Sequence, residues 1–422
     1  MSSQSPITDE EALAYHSKPR PGKVSIVPTT AMDTQRDLSL AYTPGVAVPC
    51  LEIQKDESKA YDYTSKGNLV AVISNGTAVL GLGDIGALAS KPVMEGKAVL
   101  FKKFSGIDSV DIEVDTHDID YFCDTVAAIA GTFGGINLED IKAPECFEIE
   151  RRLVEKLPIP VMHDDQHGTA VISAAGMLNA CEITGRKLED MKIVVVGAGA
   201  AAISCARLYR YMGVKKIYMI DSKGLVHHKR DDLNEHKREF VVEEICCIED
   251  AFKDANMVIG LSRPGSFSTD NIKLMAENPI VFTLANPTPE IFPEDVKAVR
   301  PDAIIGTGRS DFPNQVNNVL GFPFIFRGAL DVRARGINTQ MKVAAAYALA
   351  DLAKQEVPQY LNEIYNTKDM KFGREYIIPK PFDKRLVVEV SSAVAKAAVD
   401  SGMSTIQNFD LEKYRKELAQ RI

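Results

Sequence analysis

KIVVVGAGAAA, residues 192–202, is the stretch that decides the fold of this 422-residue chain. A β-branched run leads into Gly197, Gly199 and Ala202, which match G-x-G-x-x-A, and a helical pattern continues to Met212. In such a turn the glycines let the backbone approach a pyrophosphate, and the helix N-terminus supplies amide donors. This context predicts a dinucleotide-binding site; a tight structural turn is the alternative.

Strand and helix patterns alternate around this stretch. Lys216–Asp221 is the next predicted strand, and Asp221 lies roughly twenty residues beyond the glycines, where an acid can bind a ribose hydroxyl. Further predicted strands are Met257–Leu261, Ile280–Leu284 and Ala303–Ile305, and further predicted helices are 340–355 and 386–401. The alternation predicts an α/β fold with a Rossmann-type, doubly wound parallel sheet and C-terminal helices.

A smaller α/β catalytic domain is predicted before this sheet. LVAVISNGTAVL, residues 69–80, predicts two paired strands around an Asn-Gly turn. Other predicted elements are a helix at 121–133, a strand at 158–163 and a helix at Gly168–Thr184. We predict an N-terminal domain over 1–162 and a nucleotide-binding domain with the C-terminal helices over 163–422.

Composition excludes several classes of protein. The formal net charge of −9 argues against a nucleic-acid or acidic-membrane partner, and no apolar run approaches the roughly 20 residues of a membrane span. The N-terminal MSSQSPITDEEALAYHSK does not have the pattern of a secretory signal. Seven cysteines without C-x-x-C spacing, including adjacent Cys246 and Cys247, favour free thiols and a cytoplasmic location.

A second glycine pattern, GLGDIG at Gly81–Gly86, is followed closely by Pro92. Because proline disrupts a helix interior, we predict no long crossover helix here. A structural turn is the preferred interpretation, and a substrate loop is the alternative.

Two pairs of adjacent acids are candidate metal ligands, Glu139-Asp140 and Asp164-Asp165. Mg²⁺ prefers oxygen ligands, and three carboxylates from two loops would suit it. Helix caps are the alternative for either pair alone. The second pair is less typical of a cap because it follows an apolar strand.

Four other residues are candidates for chemistry. Lys97 lies among small and apolar residues, where desolvation would lower its pKa and make it a usable base. Tyr42 precedes a Thr-Pro-Gly turn, and Asn286 and Asn318 follow strand-like runs. Taken singly, each has an ordinary structural interpretation.

Together these segments resemble the compact bacterial form of the malic enzyme family, which decarboxylates L-malate oxidatively. The motifs follow the family order over about residues 40–335: Tyr42–Val46, Gly81–Gly86, Glu95–Lys97, Leu138–Asp140, Asp164–Thr169, Gly197–Ala202, Ala285–Thr288 and Thr307–Asn318.

The resemblance implies conversion of L-malate to pyruvate and CO₂ with NADP or NAD and with Mg²⁺ or Mn²⁺. Lys97 would take the C2 hydroxyl proton beside Asp164, and Tyr42 would protonate C3 of the enol. Asn286 and Asn318 would hold malate, Asn286 also lying against the cofactor. The implied metal ligands are Glu139, Asp140 and Asp165. We expect a homodimer, since the family is usually dimeric or tetrameric.

Two points stay open. Ala78 stands where larger eukaryotic members carry an arginine that grips a substrate carboxylate, so that contact has no assigned partner. Asp221 favours NAD by its charge. NADP is nevertheless preferred, because the segment from Asp221 resembles NADP-using members and Lys237 falls at their phosphate-binding lysine, with Lys223 and Arg230 nearby.

Three alternatives to a malic enzyme remain. A malolactic enzyme would release lactate and CO₂ from malate without net cofactor reduction. A dehydrogenase of the methylene-tetrahydrofolate or glutamate type would share the domain order. A non-catalytic nucleotide-sensing module would keep the fold alone.

Overall fold

The computed structural model describes residues 7–243 and 247–421; Cys246 and the first six residues, used in the predictions above, lie outside them. Four helices precede the first strand: α1 (Asp9–Ser17), α2 (Gln35–Ala41), α3 (Ala47–Lys55) and α4 (Ala60–Tyr63). None of these four helices contains a buried residue.

The first sheet is built from alternating strands and helices. They are β1 (Leu69–Ser74), α5 (Ala87–Ser105), β2 (Asp108–Glu113), α6 (Ile119–Ile129), β3 (Gly135–Leu138), α7 (Glu145–Lys156) and β4 (Val161–His163). The four strands are parallel and lie in the order β2-β1-β3-β4. The continuous apolar run Val70–Ile73 is fully buried, as expected for a parallel sheet covered on both faces.

Two predictions for this region are wrong. The Asn-Gly pair after β1 does not close a hairpin; Val79 instead forms an isolated bridge with Gly83. Pro92 lies inside the 19-residue α5 and does not prevent this long helix. The carbonyl that loses its helical donor belongs to Leu88, whose side chain is 83% exposed, so water can replace the missing donor.

The second sheet confirms the predicted Rossmann-type architecture. Its elements are α8 (Asp164–Thr184), β5 (Lys192–Val196), α9 (Ala200–Tyr211), β6 (Lys216–Asp221), β7 (Gly224–Leu225), α10 (Glu235–Arg238), α11 (Ile248–Phe252), β8 (Met257–Gly260), α12 (Thr269–Lys273), β9 (Ile280–Thr283), α13 (Pro293–Val299) and β10 (Ile304–Thr307). The order is β10-β9-β8-β5-β6-β7, and only β7 is antiparallel to its neighbour. The order reverses at β5, and ligands of such sheets bind at that switch point.

Five helices complete the chain: α14 (Phe322–Asp331), α15 (Thr339–Lys354), α16 (Gln359–Ile364), α17 (Leu386–Asp400) and α18 (Leu411–Ala419). Helix α14 returns to the first sheet, where Phe322 and Phe326 stack edge-on against Phe101 of α5. The division at 162/163 stays a prediction; it falls within β4, one residue before α8 begins. No helix in the described part of the chain is long and apolar enough to cross a membrane.

Candidate functional site

A cavity of about 740 Å³ lies where the carboxyl ends of strands from both sheets meet. Its walls include most of the residues predicted for chemistry: Lys97, Glu139, Asp140, Asp165, Asn286 and Asn318. The loop after β1 contributes Ala78, Leu80 and Gly81, so the predicted structural turn also lines the cavity. The structural turn is present, and the substrate-loop alternative stays a prediction.

The acids meet because β3 and β4 are neighbours. Glu139 and Asp140 follow β3, while Asp165 lies in the first turn of α8 after β4. Ligand oxygens of these three residues lie within 4.8 Å of one another. The helix-cap alternative does not apply to the first pair, because α7 begins after Pro144.

The three acids fit a divalent cation. Asp140 Oδ2 is buried and has no hydrogen-bond partner, which leaves a lone pair for a ligand. Burial and the nearby Asp165 charge raise the pKa of Asp140 to about 8, and burial raises that of Glu139 well above its usual range. Hard cations prefer all-oxygen donor sets of this kind, and one would offset the mutual repulsion.

Lys97 is buried beside these acids. Its Nζ lies 2.8 Å from Glu139 Oε1, 2.7 Å from Asp164 Oδ2, and 4.4 Å from the centre of the Phe322 ring. The predicted desolvation is present, but the predicted lowering of the pKa is wrong. Burial alone would lower the pKa of Lys97, yet the charges of Asp164 and Glu139 outweigh it and raise the pKa.

Asp164 is held from a second side. Asn318 Nδ2 donates to Asp164 Oδ2 at 3.1 Å, and Thr169 Oγ1 donates to Asn318 Oδ1 at 3.1 Å. Asn318 thereby links the first turn of α8 to the loop after β10. Sequence reasoning did not single out Thr169, although it lies in a quoted motif.

Tyr42 is not among the residues that line the cavity. It follows α2 in the N-terminal segment, and its side chain is 69% exposed. Within a single chain, the structure does not bring Tyr42 to Lys97.

The dinucleotide turn lies at the other end of the cavity, at the switch point between β5 and β8. Gly197 has φ of 124°, and a Cβ there would lie 2.5 Å from the Leu261 carbonyl oxygen, so only glycine fits. Gly199 precedes α9 with open space around it, and Ala202 is buried in that helix. This backbone leaves the N-terminus of α9 open to a phosphate.

Asp221, at the end of β6, is already engaged by cations. Arg230 forms a bidentate pair with it at 2.7 and 3.0 Å, and Lys237 Nζ lies 2.7 Å from Oδ2. Burial would raise the pKa of Asp221, but these hydrogen bonds lower it to about 2. The single carboxylate therefore offsets only one of the two positive charges, and it holds both cations at the end of β6.

Glu150 of α7 is a residue that sequence reasoning missed. It accepts the His163 backbone N–H at 2.8 Å and contacts His167 Nε2 at 2.9 Å. These contacts tie α7 to the junction that carries Asp164 and Asp165. No local pattern marks Glu150, since its partners lie on another element.

Fold and cavity together define a class: a nucleotide-binding α/β enzyme whose dinucleotide turn faces a carboxylate cluster with a buried lysine. Comparison with known protein families agrees. Residues 21–154 match the malic enzyme N-terminal domain, and residues 166–370 match the malic enzyme NAD-binding domain. The chain belongs to the malic enzyme family.

The closely similar proteins include both cofactor types. An NADP-dependent malic enzyme of Halomonas elongata is 59% identical over 94% of each chain. An NAD-dependent malic enzyme of Rhizobium meliloti is 54% identical over 95% of this chain, which spans 53% of that relative's length. The crystal structure of a Pyrococcus horikoshii malic enzyme has a TM-score of 0.88 at 42% identity, covering 97% of this chain and 95% of that one. The membership excludes the other dehydrogenase types considered above.

Proposed function

We propose that this chain catalyses the oxidative decarboxylation of L-malate to pyruvate and CO₂ with reduction of a nicotinamide dinucleotide. The proposal rests on one observation. Lys97, which is paired with Asp164, and the acid cluster line the same cavity as Asn286 and the dinucleotide-binding part of the fold. A hydride acceptor, a proton acceptor and a group that stabilises negative charge are what this reaction requires.

Glu139, Asp140 and Asp165 would hold Mg²⁺ or Mn²⁺. A bound divalent cation supplies Lewis-acid stabilisation of negative charge on a substrate oxygen. Engagement of Glu139 by a cation would also offset part of the charge that raises the pKa of Lys97. With that charge offset, the neutral amine of Lys97 would take the C2 hydroxyl proton, and Asp164 would stabilise the resulting ammonium through the 2.7 Å contact.

Asn286 and Asn318 bind malate through their amide groups. Both line the cavity, and Asn318 is already oriented by Thr169 and Asp164. Oriented amides lose little entropy when they bind a carboxylate, which favours a single substrate pose.

The preferred cofactor is NADP. Arg230 and Lys237 bring two positive charges to Asp221, so the ribose end of the site is no longer anionic.

Lys237→Gln should raise the apparent KM for NADP by about 10-fold or more, since charge-assisted hydrogen bonds contribute about 1.5–3 kcal/mol. The KM for NAD should hardly change. Lys216→Gln is the matched control, because Lys216 is exposed at the amino end of β6, opposite the end that carries Asp221. Equal effects of Lys237→Gln on both cofactors would contradict the assignment.

The assembly is proposed to be a homodimer that contacts through the N-terminal segment. Large apolar side chains are exposed there, including Leu40 (60%), Val48 (66%) and Leu51 (54%), a patch typical of an interaction surface. Tyr42 lies in the same patch, so we place it in the cavity of the partner copy, where it would protonate the enol.

A cytoplasmic location is proposed because the described cysteines are free thiols.

Mixing inactive variants tests the shared site. Tyr42→Phe and Lys97→Ala homodimers should each be impaired, and a mixed dimer should regain one complete site if Tyr42 acts in the partner. Co-expression with two affinity tags isolates the mixed dimer. A mixed dimer as inactive as its parents would place both residues in the same chain's site.

The activity itself is tested with L-malate and Mn²⁺, with NADP and NAD in parallel, at 340 nm and with a pyruvate assay. Metal-dependent reduction that EDTA abolishes, with equimolar pyruvate, is expected. Lactate without a rise at 340 nm would instead establish the malolactic alternative. Absence of any product would favour the nucleotide-sensing alternative.

A further inference from the structure

A second lysine, Lys23, lines the cavity from the N-terminal segment. Of the described residues on the cavity wall, only Lys23 and Lys97 are cationic. Lys97 is engaged by Glu139 and Asp164. Lys23 is therefore the side chain on the cavity wall that could offer a positive charge to a dicarboxylate substrate, which Ala78 cannot do.

The backbone of Lys23 is anchored to α5. Its N–H donates to Glu95 Oε2 at 2.9 Å, and its Nζ donates to the Pro92 carbonyl at 2.8 Å. Its stem passes Gly96, where a Cβ would lie 3.8 Å from Lys23 Cε. The side chain thus lies across the turn of α5 that leads directly into Lys97.

The ammonium of Lys23 retains capacity for an anion. No carboxylate of the described chain lies within ion-pair distance of the Lys23 ammonium. The Lys97 ammonium, in contrast, has two carboxylate partners. Besides the Pro92 carbonyl, the ammonium contacts His16 Nδ1 at 2.8 Å. An ammonium has three donors, so one remains for a ligand in the cavity.

We propose that Lys23 binds a carboxylate of the four-carbon substrate, in place of the missing arginine at position 78. The inference rests on the proposed function and deepens it by assigning a substrate contact. Lys23 would bind the carboxylate equally in the substrate and in the transition state, and it leaves the chemical step to Lys97. Its loss should therefore appear in KM for malate more than in kcat.

Lys23→Met tests this, because it keeps the length of the stem and removes the charge. The KM for L-malate should rise about 10- to 100-fold, the range for a lost charge-assisted hydrogen bond. The kcat should stay within about 3-fold, and the KM for the dinucleotide should not change. Lys23→Arg should recover much of the affinity. Lys102→Met removes a charge from α5 at its exposed pair with Asp108, and should leave the KM for malate unchanged.

Direct binding provides a readout that does not depend on turnover. Titration of L-malate into enzyme with Mn²⁺ and reduced dinucleotide, followed by calorimetry, should show the same weakening in Lys23→Met. A Lys23→Met enzyme with wild-type malate affinity, or one whose defect lies in kcat with a lowered melting temperature, would overturn the inference. Failure of the proposed function looks different, because wild-type enzyme would then not turn over malate at all.

Discussion

Gly168→Ala is a small substitution that should inactivate this enzyme. Gly168 lies in the first turns of α8, one turn after Asp164. A Cβ there would lie 2.0 Å from Asp164 Oδ1 and 2.9 Å from its Cγ, against about 3.5 Å for an ordinary contact. Either the carboxylate or the start of α8 must therefore move by roughly 1 Å or more.

The carboxylate has no free direction in which to move. Its other oxygen is bonded to Lys97 at 2.7 Å and to Asn318 at 3.1 Å. Breaking a buried ion pair costs about 3–5 kcal/mol, and displacing a reacting group by about 1 Å lowers the rate about 100-fold. We expect a loss of about 3 kcal/mol in the free energy of unfolding and at least about a 100-fold loss in kcat.

Urea unfolding and malate-dependent reduction of the dinucleotide measure both effects. Gly131→Ala is the matched control, because Gly131 is exposed and nothing lies within 4 Å of its added Cβ. In an ordinary helix interior, alanine for glycine stabilises by up to about 1 kcal/mol, so the expected sign is reversed at Gly168. A Gly168→Ala enzyme with wild-type stability and kcat would refute the reasoning.

Three further predictions follow from particular groups. Lys97→Ala should abolish malate oxidation while sparing some metal-dependent decarboxylation of added oxaloacetate; near-normal malate turnover would exclude Lys97 as the base. Glu150→Ala leaves the buried His163 N–H unpaired and should cost about 1–3 kcal/mol in urea unfolding and weaken Mn²⁺ binding measured by electron paramagnetic resonance, whereas unchanged Mn²⁺ affinity would limit Glu150 to stability. Burial lowers the pKa of Lys380 to about 8, so between about pH 8 and 10 the unfolded chain holds a proton that the folded protein lacks, and stability should rise with pH by up to about 3 kcal/mol. Lys380→Met should flatten that rise in urea unfolding from pH 7.5 to 10, and an unchanged slope would contradict it.

Strands of the second sheet were predictable because their signals are local. The runs at β5 and β6 are short, β-branched and bounded by turn residues, so burial and propensity agree. The Asn-Gly pair after β1 carried a hairpin signal that tertiary packing overrode, since β1 pairs with parallel strands on both sides. Pro92 does not break α5 because the carbonyl that loses its helical donor, that of Leu88, lies at the exposed start of the helix, where water can donate to it.

The site was predictable in its residue types and less so in its charges. Acids at the ends of β3 and β4 meet because neighbouring parallel strands end at one edge. The raised pKa of Lys97 was not predictable, since it depends on Glu139 and Asp164, which lie far from it in the chain. Tyr42 was named from a motif, yet its segment leaves it outside the cavity of its own chain.

By itself, the sequence determined the α/β class, the dinucleotide turn and the acids that line the cavity, because strand patterns, glycine geometry and strand-end chemistry are short-range properties. Only the tertiary structure decided that Asp221 is neutralised by Arg230 and Lys237, and that Lys23 reaches the cavity beside α5. Charge and burial depend on groups that the fold brings together from distant parts of the chain. Coulomb interactions in a buried cavity are strong over a few ångströms, so these long-range contacts set the protonation and binding properties of the site.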